Sequence, residues 1–131
     1  MSQPFHILVV EDDQDLRETL TEVLEGAGYT VARARDGLDA LSHLGSALRR
    51  PDLILLDLQM PNMNGLEFRT VQMKQADLAD IPVAILTADV RGLEEASLLK
   101  PAALLRKPVK LPQLLKLIPE VISQHASGGG E

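Results

Sequence analysis

A chain of 131 residues is enough for one domain with its own core, and with one Tyr, two Phe and no Trp that core must be aliphatic. Cysteine is absent, which excludes disulfides, thiolate metal sites and cysteine nucleophiles and fits a reducing compartment. The formal charge of −6, with no basic run longer than the pairs Arg49-Arg50 and Arg106-Lys107, points away from nucleic acid and anionic membranes as partners.

The opening, "MSQPFHILVVEDD", has no basic region and reaches acids after a short apolar run, so it does not read as a secretory signal. No apolar run is long enough to span a bilayer, and a cytoplasmic protein is expected. Residues 5–10, "FHILVV", form a short β-branched-rich run that predicts a buried strand. Asp13 is placed to cap the next element, where Leu16, Leu20, Val23, Leu24 and Ala27 recur at helical spacing over about 13 residues. Residues 29–34 predict a weaker strand nearer an edge, and Asp36-Gly37 turn the chain. Leu38, Leu41, Leu44 and Leu48 give a second helical stripe.

"LILL" at 53–56 is apolar on both faces and predicts a central strand. A third helix spans Gly65 to about Gln75, with Leu66, Phe68, Val71 and Met73 as contacts. Residues 81–86 predict a fourth strand whose Pro82 sits near its start, where a missing donor is tolerated. Residues 90–99 predict a short helix stopped by Pro101. A fifth strand at 103–106 and a helix at 111–122 follow, and 123–131 is expected to be a flexible tail. Residues 1–122 thus predict one α/β domain of strand–helix units: a five-stranded parallel sheet in a three-layer α/β/α arrangement. Ligands in such sheets bind beyond the carboxyl ends of the strands.

The residues that follow each strand carry the chemistry. Glu11, Asp12 and Asp13 come after the first, Asp57 after the third, Thr87 after the fourth and Lys107 after the fifth. Taken singly, each of these is an ordinary capping, turn or surface residue. Together, carboxylates from two strand tips repel one another unless a cation intervenes. An all-oxygen site without His or Cys suits Mg²⁺, or Mn²⁺. A lysine and a hydroxyl are the other groups a phosphoryl wants, and a carboxylate can accept one as an acyl phosphate. The set is self-consistent for phosphoryl transfer onto Asp57. Asp13 is assigned to capping, and Asp15, Asp36 and Asp52 to turns or surface. His6, His43 and His125 lack metal-ligand spacing and read as structural or surface residues, while Met60 and Met63 read as loop packing.

"ILVVEDD", "LILLDLQMPNMNGLE", "ILTAD" and "RKP", in that order, resemble the receiver domain of two-component response regulators over residues 5–122. The resemblance implies a flavodoxin-like fold with strand order 2-1-3-4-5. It implies Asp57 as phosphoacceptor and metal ligand, Asp12 as a direct ligand, Glu11 as a ligand through water, and the Gln59 backbone carbonyl completing the set. Thr87 resembles the hydroxyl that bonds a phosphoryl oxygen, and Lys107 the lysine that pairs with the phosphoryl group, before a bond to Pro108 that is usually cis in the family. The implied donor is a sensor histidine kinase or a histidine phosphotransfer protein. The implied role is that of a phosphoacceptor that is not itself an enzyme. The short stretch after Ile122 makes a stand-alone switch acting through protein–protein contact the expected form, or equally a fragment of a longer regulator, with the downstream target and oligomeric state left open.

The sequence also departs from the family pattern. Leu104 stands where the family usually has Tyr or Phe, three residues before the lysine, and leucine cannot report the state of the threonine as that aromatic does. The interval from Thr87 to Lys107 is about two residues short, so the fourth helix should be short or irregular. Pro119 should kink the last helix or end it early. Gln59 and Asp89 occupy variable positions that in the family tune acyl-phosphate lifetime. Leu104 supports an alternative, a pseudo-receiver serving as a constitutive binding module. A haloacid-dehalogenase-type phosphatase would want an aspartate at Gln59, and no "GK[ST]" segment exists for a P-loop.

Overall fold

The computed structural model describes residues 4–46 and 49–129. Leu48 and the side chain of His125, singled out above, lie outside the described residues. The elements are β1 (His6–Val10), α1 (Gln14–Gly26), β2 (Thr30–Ala34), α2 (Gly37–Ser46), β3 (Leu53–Asp57), α3 (Gly65–Lys74), β4 (Val83–Thr87), α4 (Val90–Ser97), β5 (Ala103–Arg106) and α5 (Leu111–Gly129). The strands form one parallel sheet in the order β2-β1-β3-β4-β5, the flavodoxin-like order that the resemblance implies.

Strand side chains alternate between faces, so each apolar run feeds two cores. Ile7, Val9, Leu53, Leu55, Ala84 and Leu86 pack with Leu20 and Leu24 of α1 and Leu114 and Ile118 of α5. Leu8, Val10, Ile54, Leu56, Val83 and Ile85 pack on the other face with Ala40 of α2, Phe68 of α3 and Ala96 of α4. This is why "LILL" carries no polar face: every residue of β3 is buried.

Local signals set the boundaries. Asp13 caps α1, its side chain accepting from the N–H groups of Asp15 and Leu16. Asn64 caps α3 in a reciprocal capping box with Glu67. The stripe of α2 differs from expectation: Leu38 is exposed, while Gly37 and Ala40 are buried and Leu41 and Leu44 pack partly. The contact positions run 37, 40, 41, 44, the i, i+3, i+4, i+7 set, and Leu38 falls off that stripe. Gly37 is needed there, because a Cβ would meet Met63 atoms at 2.6–2.9 Å, and its N–H donates to the Met63 carbonyl at 3.0 Å. Met60 and Met63 pack against the core beneath the same loop.

On α3, Phe68 is buried but Met73 is exposed; Arg69 and Gln72 take the inner face instead. Arg69 Nη1 donates to Gln72 Oε1 at 2.8 Å, and its Nε and Nη2 donate to the carbonyls of Leu99 and Lys100 at 3.2 Å. Gln72 Nε2 donates to the Leu78 and Ile81 carbonyls. Burial pulls the Arg69 guanidinium below its ordinary pKa. This buried polar network ties α3 to the chain leaving α4.

Helix α4 is short, as expected, at eight residues. Helix α5 differs: it continues through Pro119 and reaches Gly129, beyond the end expected at Ile122, so the stretch expected as tail is helical as far as Gly129. Leu114 and Ile118 before the proline and Val121 and Ile122 after it are all buried, which gives this helix an apolar anchor on both sides.

A Cβ on Gly65 would meet the Asp57 carbonyl at 2.5 Å and the Leu58 Cα at 2.8 Å, both backbone atoms that cannot move aside. Gly65→Ala should therefore destabilise the domain by about 1–3 kcal/mol. Gly45→Ala, whose added methyl meets nothing within 4 Å inside α2, should instead stabilise by up to ~1 kcal/mol. Urea unfolding of the two variants side by side measures both.

Candidate functional site

The register of the sheet assembles the site. Val10 is level with Leu56, so Glu11 follows beside Asp57, the last residue of β3. Asp57 is level with Leu86 and Thr87 with Arg106, so Thr87 and then Lys107 step outward along the same rim. The Lys107 N–H donates to the Thr87 carbonyl at 2.8 Å, extending β4–β5 pairing to the lysine, and the Lys107–Pro108 peptide is cis.

Glu11 is held by its backbone. Its N–H donates to the Ala34 carbonyl at 3.0 Å, and its carbonyl accepts from Arg17 Nη1 at 2.8 Å. Its carboxylate is buried, with Oε2 accepting the Asp13 N–H at 3.2 Å and Oε1 facing Lys107 Nζ at 2.8 Å. Lys107 Nζ also lies 3.4 Å from Asp57 Oδ2, while Asp57 Oδ1 accepts the Gln59 N–H at 3.2 Å. One ammonium thus stands against two buried carboxylates. Asp12 is exposed at the mouth.

The electrostatics follow from burial. Asp57 is only 2% exposed, and desolvation, reinforced by the Glu11 charge and hydrogen bond, pushes its pKa up to about 7 against the opposing pull of Lys107 and the Gln59 N–H. For Lys107, burial disfavours the ammonium, but the Glu11 hydrogen bond and the Asp57 and Glu11 charges outweigh it and raise its pKa above the ordinary lysine value. A site whose ammonium leaves one carboxylate so hard to ionise is short of positive charge. Glu11, Asp12 and Asp57 offer oxygens that all lie within 4.8 Å of one another, a hard, all-oxygen donor set that can hold a metal ion.

Thr87 is fully buried, and its hydroxyl turns to the Asp89 backbone, accepting that N–H at 3.2 Å. Asp89 in turn caps α4, accepting from the Arg91 N–H at 3.0 Å. Thr87, Gln59 and Asp12 share a cleft of about 570 Å³ with Asp89, Arg91 and Glu95.

Glu11, Asp12, Asp57, Gln59, Thr87 and Lys107 therefore meet at one rim, with Glu11 pressed directly against Lys107. The sequence places Asp36 in a turn or at the surface; it does stand at a turn, but it is 4% exposed and fastens two loops together. Its carboxylate accepts the Asp39 N–H at 2.8 Å and the Asn62 side-chain amide at 2.8 Å, and the Asp39 bond leads in holding its pKa below the carboxylate range. Asn62 takes a left-handed φ of 65°, a conformation that asparagine tolerates, within the loop that carries Gln59. The pairing of an "RD" turn with an Asn 26 residues away had no local sequence signal. Asp52 likewise does more than turn the chain: it accepts the His6 N–H at 2.8 Å and pairs with Arg49 at the opposite edge of the sheet. His6 Nδ1 lies 2.7 Å from Thr30 Oγ1, a structural contact.

The family model for the response regulator receiver domain matches residues 7–119. The chain belongs to the response regulator receiver family. Its receiver domain is 39% identical over 114 residues to the response regulator MprA of Mycobacterium sp. (strain KMS), covering 86% of this chain and 48% of that protein. The identity to MprA of Mycolicibacterium vanbaalenii is 40%, with the same coverage. The chain thus spans about half the length of these curated relatives. Among solved structures, it resembles the signal receiver domain of a signal transduction histidine kinase from Syntrophus aciditrophicus, with a TM-score of 0.83 and 34% identity over 92% of this chain and 91% of that one. It also resembles the chemotaxis protein CheY4 of Vibrio cholerae, with a TM-score of 0.81 and 31% identity over 90% of this chain and 98% of that one. The receiver is a signalling domain, and no described helix is long and apolar enough to cross a membrane.

The raised Asp57 pKa has a definite sign for stability. A carboxyl that ionises near 7 in the fold and near 3.8 when unfolded favours the folded receiver fully below about pH 4. That contribution is lost as pH rises towards and through about 7. With divalent ions chelated, Asp57→Asn should lack this loss and should exceed the native chain in stability at about pH 8 by on the order of 1–3 kcal/mol. At about pH 4 the advantage should vanish. Denaturant titrations across this pH range measure the difference.

Proposed function

We propose that this receiver accepts a phosphoryl group on Asp57 from a phosphohistidine of a sensor histidine kinase or histidine phosphotransfer protein. The observation that carries this reading is the placement of Asp57 at a strand tip with Lys107 Nζ 3.4 Å away and an acidic cluster beside it. Family membership supplies the reaction class.

A carboxylate oxygen of Asp57 bonds to phosphorus as the donor's P–N bond breaks, and the departing imidazole is protonated. Glu11, Asp12, Asp57 and the Gln59 carbonyl are the groups that would hold Mg²⁺, with Mn²⁺ as a substitute. When bound, such an ion would supply positive charge for the transferring phosphoryl oxygens and would favour the ionised form of Asp57. Lys107 stabilises charge on the same oxygens from the opposite side. Thr87 releases the Asp89 N–H to bond a phosphoryl oxygen. Because that N–H belongs to the cap of α4, the change at the site reaches the helix directly. The acidic surface favours protein contacts as the output of this domain.

Incubation with Mg²⁺ and acetyl phosphate should raise the intact mass by one phosphoryl group. Asp57→Asn should abolish the adduct, and Lys107→Ala should slow its formation on the order of a hundredfold. A chain that binds no Mg²⁺ and takes up no phosphoryl would instead be a constitutive binding module, the reading that Leu104 favours.

A further inference from the structure

The site is anionic before any donor reaches it. Glu11, Asp12 and Asp57 converge at the rim, and the one ammonium among them, Lys107, already faces two carboxylates. The adjoining cleft adds Asp89 and Glu95 to its wall. A phosphodonor carries negative charge on its own phosphoryl oxygens, so its approach past Asp12, Asp89 and Glu95 is opposed. Among the described residues that line the cleft, Arg91 is the one cation.

Arg91 is fixed by its backbone and free at its tip. Its N–H donates to Asp89 Oδ1 at 3.0 Å, which places it in the first turn of α4 directly after the cap that Thr87 contacts. Its guanidinium makes no hydrogen bond or ion pair within the described residues, and Glu95, one turn along, does not engage it. A guanidinium presents a planar fork of donors that matches phosphoryl oxygens two at a time, a geometry an ammonium lacks.

Resting on the phosphoacceptor reading, we infer that Arg91 is a binding residue for the phosphoryl group of the incoming donor, holding it at the cleft mouth before transfer to Asp57. Lys107 acts at depth on the reacting group; Arg91 acts earlier, on capture. Its contribution therefore appears in the dependence on donor concentration and leaves the saturated rate unchanged. Because the residue is exposed, the contribution is modest and weakens with salt.

The test follows phosphoryl uptake by intact mass across a series of acetyl phosphate concentrations with Mg²⁺ at low ionic strength. Arg91→Ala should lower the initial slope about three- to tenfold with the plateau rate unchanged. Arg91→Glu should lower it further, Arg91→Lys should fall between Arg91→Ala and the native chain, and added salt should narrow the spread. Equal slopes for the native chain, R91A and R91E overturn the inference and leave Asp57 as phosphoacceptor. A lowered plateau at equal slope also overturns it, because the residue would then act in the chemistry or the fold. A native chain that takes up no phosphoryl group overturns both readings.

Discussion

One ammonium held against two buried carboxylates organises this molecule. Lys107 reaches Glu11 at 2.8 Å and Asp57 at 3.4 Å, and both acids are almost wholly removed from water. Desolvation and mutual repulsion make the pair of acids costly, and a single positive charge offsets them only in part, as the Asp57 pKa near 7 records. The fold must therefore grip each member from elsewhere. Glu11 is pinned through both of its backbone polar groups, Asp57 lies inside a fully buried strand, and the backbone of Lys107 is bonded to the end of β4.

That grip depends on register. Parallel pairing sets Glu11, Asp57, Thr87 and Lys107 at successive steps along one rim, and a slip of one residue would turn each side chain to the opposite face. Two alternating apolar faces per strand make such a slip expensive. The loop after β3 receives separate support: Gly37 closes on Met63, Asp36 binds Asn62, and Gly65 lies against the backbone of Asp57 and Leu58. Its dense punctuation in the sequence reflects this close approach of backbone to backbone.

Much of this was legible in the sequence because the signals are local. Strand alternation, the Asp13 cap and the order of acids, hydroxyl and lysine at strand ends depend on residues near one another in the chain. What sequence missed is non-local. Leu38 looked like a contact because leucine is apolar, but the small residues Gly37 and Ala40 permit the close approach. Arg69 and Gln72 are absent from the contacts expected of the third helix because nothing nearby in sequence shows the distant carbonyls that satisfy them. The persistence of α5 through Pro119 depends on apolar anchors on both sides, which outweigh one missing hydrogen bond.

Arg69 has a mechanical consequence. Its buried charge is answered by neutral oxygens, two of them carbonyls just beyond the end of α4, and Lys100 there takes a left-handed φ of 51°. Sliding that end of the helix would strand a guanidinium away from water, whereas at the opposite end the Thr87 hydroxyl makes two long contacts with the Asp89 backbone, at 3.2 and 3.4 Å. A rod clamped at one tip and lightly latched at the other swings rather than translates. By these contacts the far tip of α4 is the anchored one, and freedom to move is left to the tip beside the acidic rim.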